Sequence, residues 1–270
     1  MKNEKTFSPQ HIKHIKSIKK ETRIIFVSRF IILFLLLALW ELFAAVGVID
    51  SFISSSPSKI FVTINELFLE NNLLFHIGIT LYETVVGFLI AVVLGYVIAL
   101  ALWWSERLRR ILEPYIVILN SLPKIALGPI IIVWCGSGSK SIIFMAVLIG
   151  IIVAIMSMLN GFLSTDKNKI LLLRSMGATK LQILLKLVIP GSVPTLISVL
   201  KICVGMAWVG SIMGEYLVSR AGLGYLIVYG GQVFKLDLVM ASTVILCVLA
   251  AIMYASVAIL ERLITKHNEK

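Results

Sequence analysis

The chain has 270 residues, 59% of them hydrophobic and only 14% charged, with a mean hydropathy of +1.00 and a formal net charge of +11. These values exclude a water-soluble domain, because several separate apolar runs are each long enough to cross about 30 Å of hydrocarbon. The chain reads as an all-α integral membrane protein with about six transmembrane helices.

Residues 1–29 form a basic tail carrying Lys2, Lys5, Lys13, Lys16, Lys19, Lys20, Arg23 and Arg29. The tail lacks the short apolar core and small-residue cleavage site of a secretory signal, so the span that follows is expected to remain as an uncleaved anchor. His11 and His14 share a helical face there, but two histidines among exposed lysines read as solvated side chains, not as a metal site. No metal ligand set and no catalytic residue is expected in the chain.

A transmembrane region is expected over residues 30–262. The first span runs from Phe30 to Val48 and the second from Tyr82 to Trp104, followed by a loop with Arg107, Arg109 and Arg110. The third is expected from Leu112 to Cys135 and contains Pro123 and Pro129. Beside Pro123 cluster Asn120, Ser121 and Lys124, where a distorted helix offers unpaired carbonyls to a cavity.

Gly136 to Ser141, GSGSKS, superficially resembles a phosphate loop. Its glycine spacing is wrong for one and its flanks are apolar spans, so it reads as the tight turn into the fourth span, Ile142 to Phe162.

Residues 165–192 then break the apolar pattern with RSMGATKLQILLKLVIP at their centre. Ile170 to Met176 predicts a short helix ended by Gly177, since glycine accepts the left-handed conformation of a helix terminus. Thr179 and Gln182 predict a capping box that starts a second helix. Leu181, Leu184, Leu185 and Val188 are expected on one face of it, with Pro190 stopping the helix before Pro194 opens the next span. A basic amphipathic helix of this kind can rest on lipid headgroups. The corner of small side chains, Ser175, Gly177, Ala178 and Thr179, favours insertion into a groove on another protein.

The fifth span, Val193 to Val218, carries Lys201, Gly205, Trp208, Ser211 and Glu215 at spacings of one helical face. Charges inside a membrane are costly and mark an interior or a water-filled path, so these residues and Asn120, Ser121 and Lys124 are candidate pathway positions. Packing roles stay open beside that reading: Lys201 snorkelling, Glu215 paired with Arg220, Gly205 at a helix contact. The sixth span is Leu238 to Leu260, and residues 263–270 form a short tail. Cys135, Cys203 and Cys247 are far apart and read as buried free thiols.

Most of the 25 Lys and Arg residues fall in the first tail, the Arg107–Arg110 loop, the 165–192 segment and the last tail. Lys59, Lys140, Arg220 and Lys235 fall on the other side. Basic flanks stay preferentially in the cytoplasm, which predicts both termini there and gives the charge excess a topological cause, with attraction to anionic lipid; no nucleic acid is implied.

Around Gly177 the chain resembles the membrane-spanning permease subunits of bacterial ATP-binding-cassette importers. Their cytoplasmic coupling segment, the EAA motif, has Glu-Ala-Ala, then a glycine, then a proline thirteen positions later; Gly177 and Pro190 keep that spacing, while Leu171, Leu172 and Leu173 stand in place of Glu-Ala-Ala. SSPSKIFVTINELF, TLYETVVGF, SLPKIALGPIIIVWCGSGSKS and GEYLVSRAGLGYLI are similar to the nitrate, sulfonate, taurine and thiamine-precursor branch. The resemblance implies the type I importer permease fold and a homodimer in the bacterial plasma membrane. It also implies two cytoplasmic ATPase copies that bind ATP and magnesium, and an extracytoplasmic solute-binding protein. Arg174, Ser175, Met176, Gly177, Ala178, Thr179, Leu181, Gln182 and Pro190 would then form the contact with the ATPase. Lys124 and Lys201 would suit an anionic solute. A self-contained secondary transporter or channel is the alternative, and it leaves the glycine corner without a purpose.

Overall fold

A computed structural model describes residues 9–48, 55–70 and 72–268. Lys2, Lys5 and Lys270 lie outside the described residues, as do the side chains of His11, Lys13, His14, Lys16, Lys19 and Lys266. The chain divides into two units, Met1–Thr63 and Ile64–Lys270.

In the first unit, α1 (Pro9–Ala45) leads to the start of α2 (Pro57–Glu70). Helix starts leave backbone N–H groups without partners, and here the Glu41 carboxylate of α1 meets that need. It accepts from Ser58 N–H at 3.0 Å and from the Ser58 hydroxyl at 2.8 Å. From Arg23 to Leu39 the side chains of α1 are exposed, Phe34 by 75%. Such a run would aggregate in water and is at ease in hydrocarbon.

The second unit holds α3 (Leu73–Trp104), α4 (Glu106–Ser121), a 3₁₀ turn (Lys124–Leu127), α5 (Gly128–Cys135) and α6 (Ser139–Leu163). After these come α7 (Lys167–Ser175), α8 (Lys180–Ile183), a π-helical turn (Leu184–Val188) and a single α turn (Ile189–Gly191). The long α9 (Val193–Val218), α10 (Leu223–Gln232) and α11 (Leu236–Asn268) complete it. Among the described residues five helices are long and apolar enough to cross a membrane, or six if one bent pair counts as a span.

That pair corrects the expectation of a continuous third span over Leu112–Cys135. Glu106–Ser121 and Lys124–Cys135 are bent by 87°. Leu122 is extended (φ −65°, ψ 139°), the conformation favoured before a proline, and Pro123 donates no N–H to continue the helix. The second span is longer than expected, beginning at Leu73, and its 32 residues reach about 48 Å at 1.5 Å each. The 136–138 turn is tight, with Gly136 at φ +80° and Gly138 at φ +133°.

α6 packs between α3 and α9, and small residues set the spacing. Apolar side chains gain nothing by leaving lipid for one another, so membrane helices associate where their backbones approach closely. A Cβ on Gly87 would sit 2.6 Å from Ala146 Cβ, and one on Gly95 2.5 Å from Ala154 Cβ, two turns further along the same seam. Gly210 of α9 meets the backbone of Ala146 from the other side. Toward the α7 end, Leu102, Met158, Phe162, Val199 and Cys203 close the core.

Candidate functional site

The 165–192 segment folds as two short helices about a glycine corner. Asp166 opens α7 by accepting from Asn168 N–H at 2.8 Å, and Gly177 closes it at φ +81°. Ala178 N–H reaches back to Leu173 C=O and Gly177 N–H to Arg174 C=O, both at 2.9 Å, the paired bonds of a left-handed helix terminus. The capping box at α8 is complete: Gln182 N–H donates to Thr179 Oγ1 at 3.3 Å and Thr179 N–H to Gln182 Oε1 at 2.8 Å. Arg174, Ser175, Met176, Gly177, Thr179, Leu181 and Gln182 are all exposed around this corner, and Ala178 is half-buried.

Two expectations about α8 need correction. Pro190 does not stop the helix; it lies in the Ile189–Gly191 turn, and only Ser192 separates that turn from α9. A proline withholds one N–H, and the chain absorbs the defect just before it as a π turn, in which Ile189 N–H bonds Leu184 C=O five residues back. The wider turn also changes the face. Ile183, Leu184 and Val188 are buried in the core, while Leu181 and Leu185 are 53% and 55% exposed.

This corner is fastened to the long helices. Lys180 Nζ donates to the Trp104 carbonyl that ends α3 and lies 5.7 Å and 5.3 Å from the ring centres of Trp103 and Trp104. Lys180 and the Ile183–Val188 face thus tie the corner to the core that α3, α6 and α9 share. Trp104 lies 76 residues before Lys180 in the chain, so spacing alone did not reveal this contact.

The pathway candidates separate into two groups. Asn120 and Ser121 are exposed at the bend, where Lys124 Nζ donates to Asn120 C=O at 3.2 Å, and Gly205 faces open space. Trp208, Ser211 and Glu215 are buried, so along this one face of α9 only Gly205 among the four stands exposed. Ser211 Oγ lies 2.6 Å from Thr84 Oγ1. The Trp208 indole N–H is buried without an acceptor among the described residues. Lys201 is paired: its Nζ lies 2.5 Å from Glu261 Oε2 of α11. Glu215 does not pair with Arg220: its Oε2 accepts from Gly224 N–H at 2.6 Å.

Glu215 belongs to a knot at the far end of the bundle from the corner. The first amides of α10 have no partners in their own helix, and side chains of other helices supply them. Gly222 N–H donates to His76 Nδ1 at 3.0 Å, Leu223 N–H to Thr80 Oγ1 at 2.8 Å, and Gly224 N–H to Glu215. A side chain at Gly222, which sits at φ +112°, would run into the Glu215 carboxylate, and a Cβ at Gly224 would lie 2.8 Å from it. Glu83 is 1% exposed, and its Oε2 is buried without a hydrogen-bond partner among the described residues. Glu83 was legible as a lone charge in the apolar string TLYETVVGF, yet its role shows only when α9 and α10 are placed against it.

Residues 91–266 match the family of binding-protein-dependent transport system inner membrane components. The chain belongs to that family. A probable ABC transporter permease protein of Haemophilus influenzae is 31% identical over 82% of this chain and 90% of its own. A putative aliphatic sulfonates transport permease protein, SsuC of Bacillus subtilis, is 27% identical over 86% and 84%. The formylaminopyrimidine transport permease protein ThiX of Halalkalibacterium halodurans is 31% identical over 79% and 86%. Among solved structures, the MetNI methionine ABC transporter in an inward-facing conformation gives a TM-score of 0.64 over 70% of this chain and 94% of that one, at 21% identity. A bacterial ABC transporter involved in alginate import also gives 0.64, over 94% and 99%, at 15% identity. The chain is thus a multi-pass permease subunit of an ABC importer in the inner membrane, working with ATP-hydrolysing and solute-binding partners.

Proposed function

We propose that this permease works as a homodimer with two copies of a cytoplasmic ATPase docked at the Gly177 corner, both termini being cytoplasmic, and that it imports a small anionic or heterocyclic solute. ATP and magnesium are held by the ATPase and not by this chain. The observation that carries the reading is the corner itself. It is an exposed, doubly capped joint whose reverse side is buried in the core and whose Lys180 is tied to the end of α3. Such a joint transmits a partner's movement as a rigid lever.

When ATP draws the two ATPase subunits together, their grooves carry the two corners with them. α3, α6 and α9 of each copy then tilt as a unit, because close backbone contacts such as Gly95 on Ala154 leave them no slack. The pathway between the copies opens to the opposite side, and ligand and nucleotide each bias that two-state equilibrium by their differential binding. The sulfonate and formylaminopyrimidine permeases similar to this chain support the solute class, and Lys124 at the helix bend supplies a positive charge for an anion.

Gly177→Asp tests the docking. Its Cβ meets nothing within 4 Å, and aspartate tolerates the left-handed region for about 1 kcal/mol, so the permease stays folded. The new charge stands where the ATPase must approach. We expect the tagged wild-type chain to retain an ATPase through gentle extraction and the variant to lose most of it. Unchanged retention and uptake in the variant would sink the reading.

A further inference from the structure

The corner also specifies what kind of surface receives it. On a helix turning about 100° per residue, Ile170 and Leu173 of α7 share one side, while Leu171 and Leu172 lie roughly 130° away from it on either flank of the opposite side. Burial agrees: Ile170 and Leu173 pack against the core, whereas Leu171 is 67% and Leu172 60% exposed. Met176, at the end of the same helix, is 74% exposed. A helix lying on the membrane surface turns its apolar side toward the bilayer, the side on which its own transmembrane core lies. These leucines point away from that core. Lys167, Lys169 and Arg174 stand exposed around them, so an apolar crest is ringed by positive charge.

We infer that Leu171, Leu172 and Met176 form the apolar centre of the ATPase contact, and that the groove receiving them is apolar with carboxylates at its rim. This rests on the docking reading above. Burying large side chains at the middle of an interface supplies most of its energy, and the surrounding charges set orientation and encounter rate.

The test uses the complete complex and a permease expressed without its ATPase, both in lipid nanodiscs, with Cys135, Cys203 and Cys247 replaced by alanine. Leu172→Cys is labelled with a water-soluble maleimide. We expect rapid labelling of the permease alone and labelling about tenfold slower in the complex. Equal rates in both states overturn the inference, and protection in both means the crest lies in lipid and overturns it as well. Retention of the ATPase supplies the second measurement. It should survive about 1 M salt, where charges are screened beyond about 3 Å. It should fall about tenfold or more in the doubly substituted Leu171→Asp, Leu172→Asp chain, which replaces only exposed side chains. A wild-type chain that retains no ATPase overturns the docking reading and this inference together. A wild-type complex that dissolves in salt, or a double variant that holds its ATPase, overturns this inference alone.

Discussion

Gly205 and Gly210 lie five residues apart on α9 and illustrate how little a residue type says before its surroundings are known. A Cβ at Gly210 would collide with the backbone of Ala146, which cannot swing aside, while one at Gly205 meets nothing within 4 Å. Gly210→Ala is therefore expected to cost about 1–3 kcal/mol as an overpacked helix contact. Gly205→Ala should change stability by no more than about 1 kcal/mol, in the stabilising direction, because alanine is the better helix former. Thermal unfolding of the two purified variants in one detergent checks both, and equal melting temperatures would refute the seam drawn through Ala146. The sequence marked Gly205 for attention because it shares a helical face with polar neighbours. Gly210 carried no such mark, since a close approach between helices depends on the facing residue, which is 64 positions away in the chain.

At the scale of elements, local signals were legible and register was not. Thr179, Gln182 and Gly177 act on neighbours within a few residues, and the expected cap and corner are both present. The expected stop at Pro190 failed for a reason that is equally local but has two solutions. A missing N–H either ends a helix or is absorbed in a wider turn, and the buried Val188 and Ser192 on either side favour the second. The same ambiguity hid the 87° bend at Pro123, where the helix did break. The cap permits a direct test. Thr179→Ala removes one side of the reciprocal pair at about 1 kcal/mol, so amide exchange over Lys180–Ile183 should speed up about fivefold while the α6 amides keep their protection. Exchange that rises equally in both would mean that α8 has no stability of its own and opens only with the whole fold.

For the whole molecule, the division of the polar residues bears on where solute passes. Ser211 and Glu215 are spent inside one copy, on Thr84 and on the amide of Gly224, and Lys201 is spent on Glu261. What a single copy leaves exposed is Asn120, Ser121 and Gly205, with Lys124 half-buried at the bend. In the homodimer we propose, a path enclosed between two copies must be lined by groups that each copy leaves uncovered, so these positions, and not the buried set, should meet the solute. In the chain with its own cysteines replaced by alanine, Asn120→Cys and Gly205→Cys should react with a small charged thiol reagent in the assembled importer, and transported solute should slow the reaction. Ser211→Cys should stay unreactive, because its Oγ position is enclosed by Thr84 and the Trp208 carbonyl. The reverse pattern, with Ser211→Cys protected by solute and Gly205→Cys indifferent to it, would move the path into the interior of each copy. It would also turn the unpartnered Trp208 N–H from a packing defect into a solute contact.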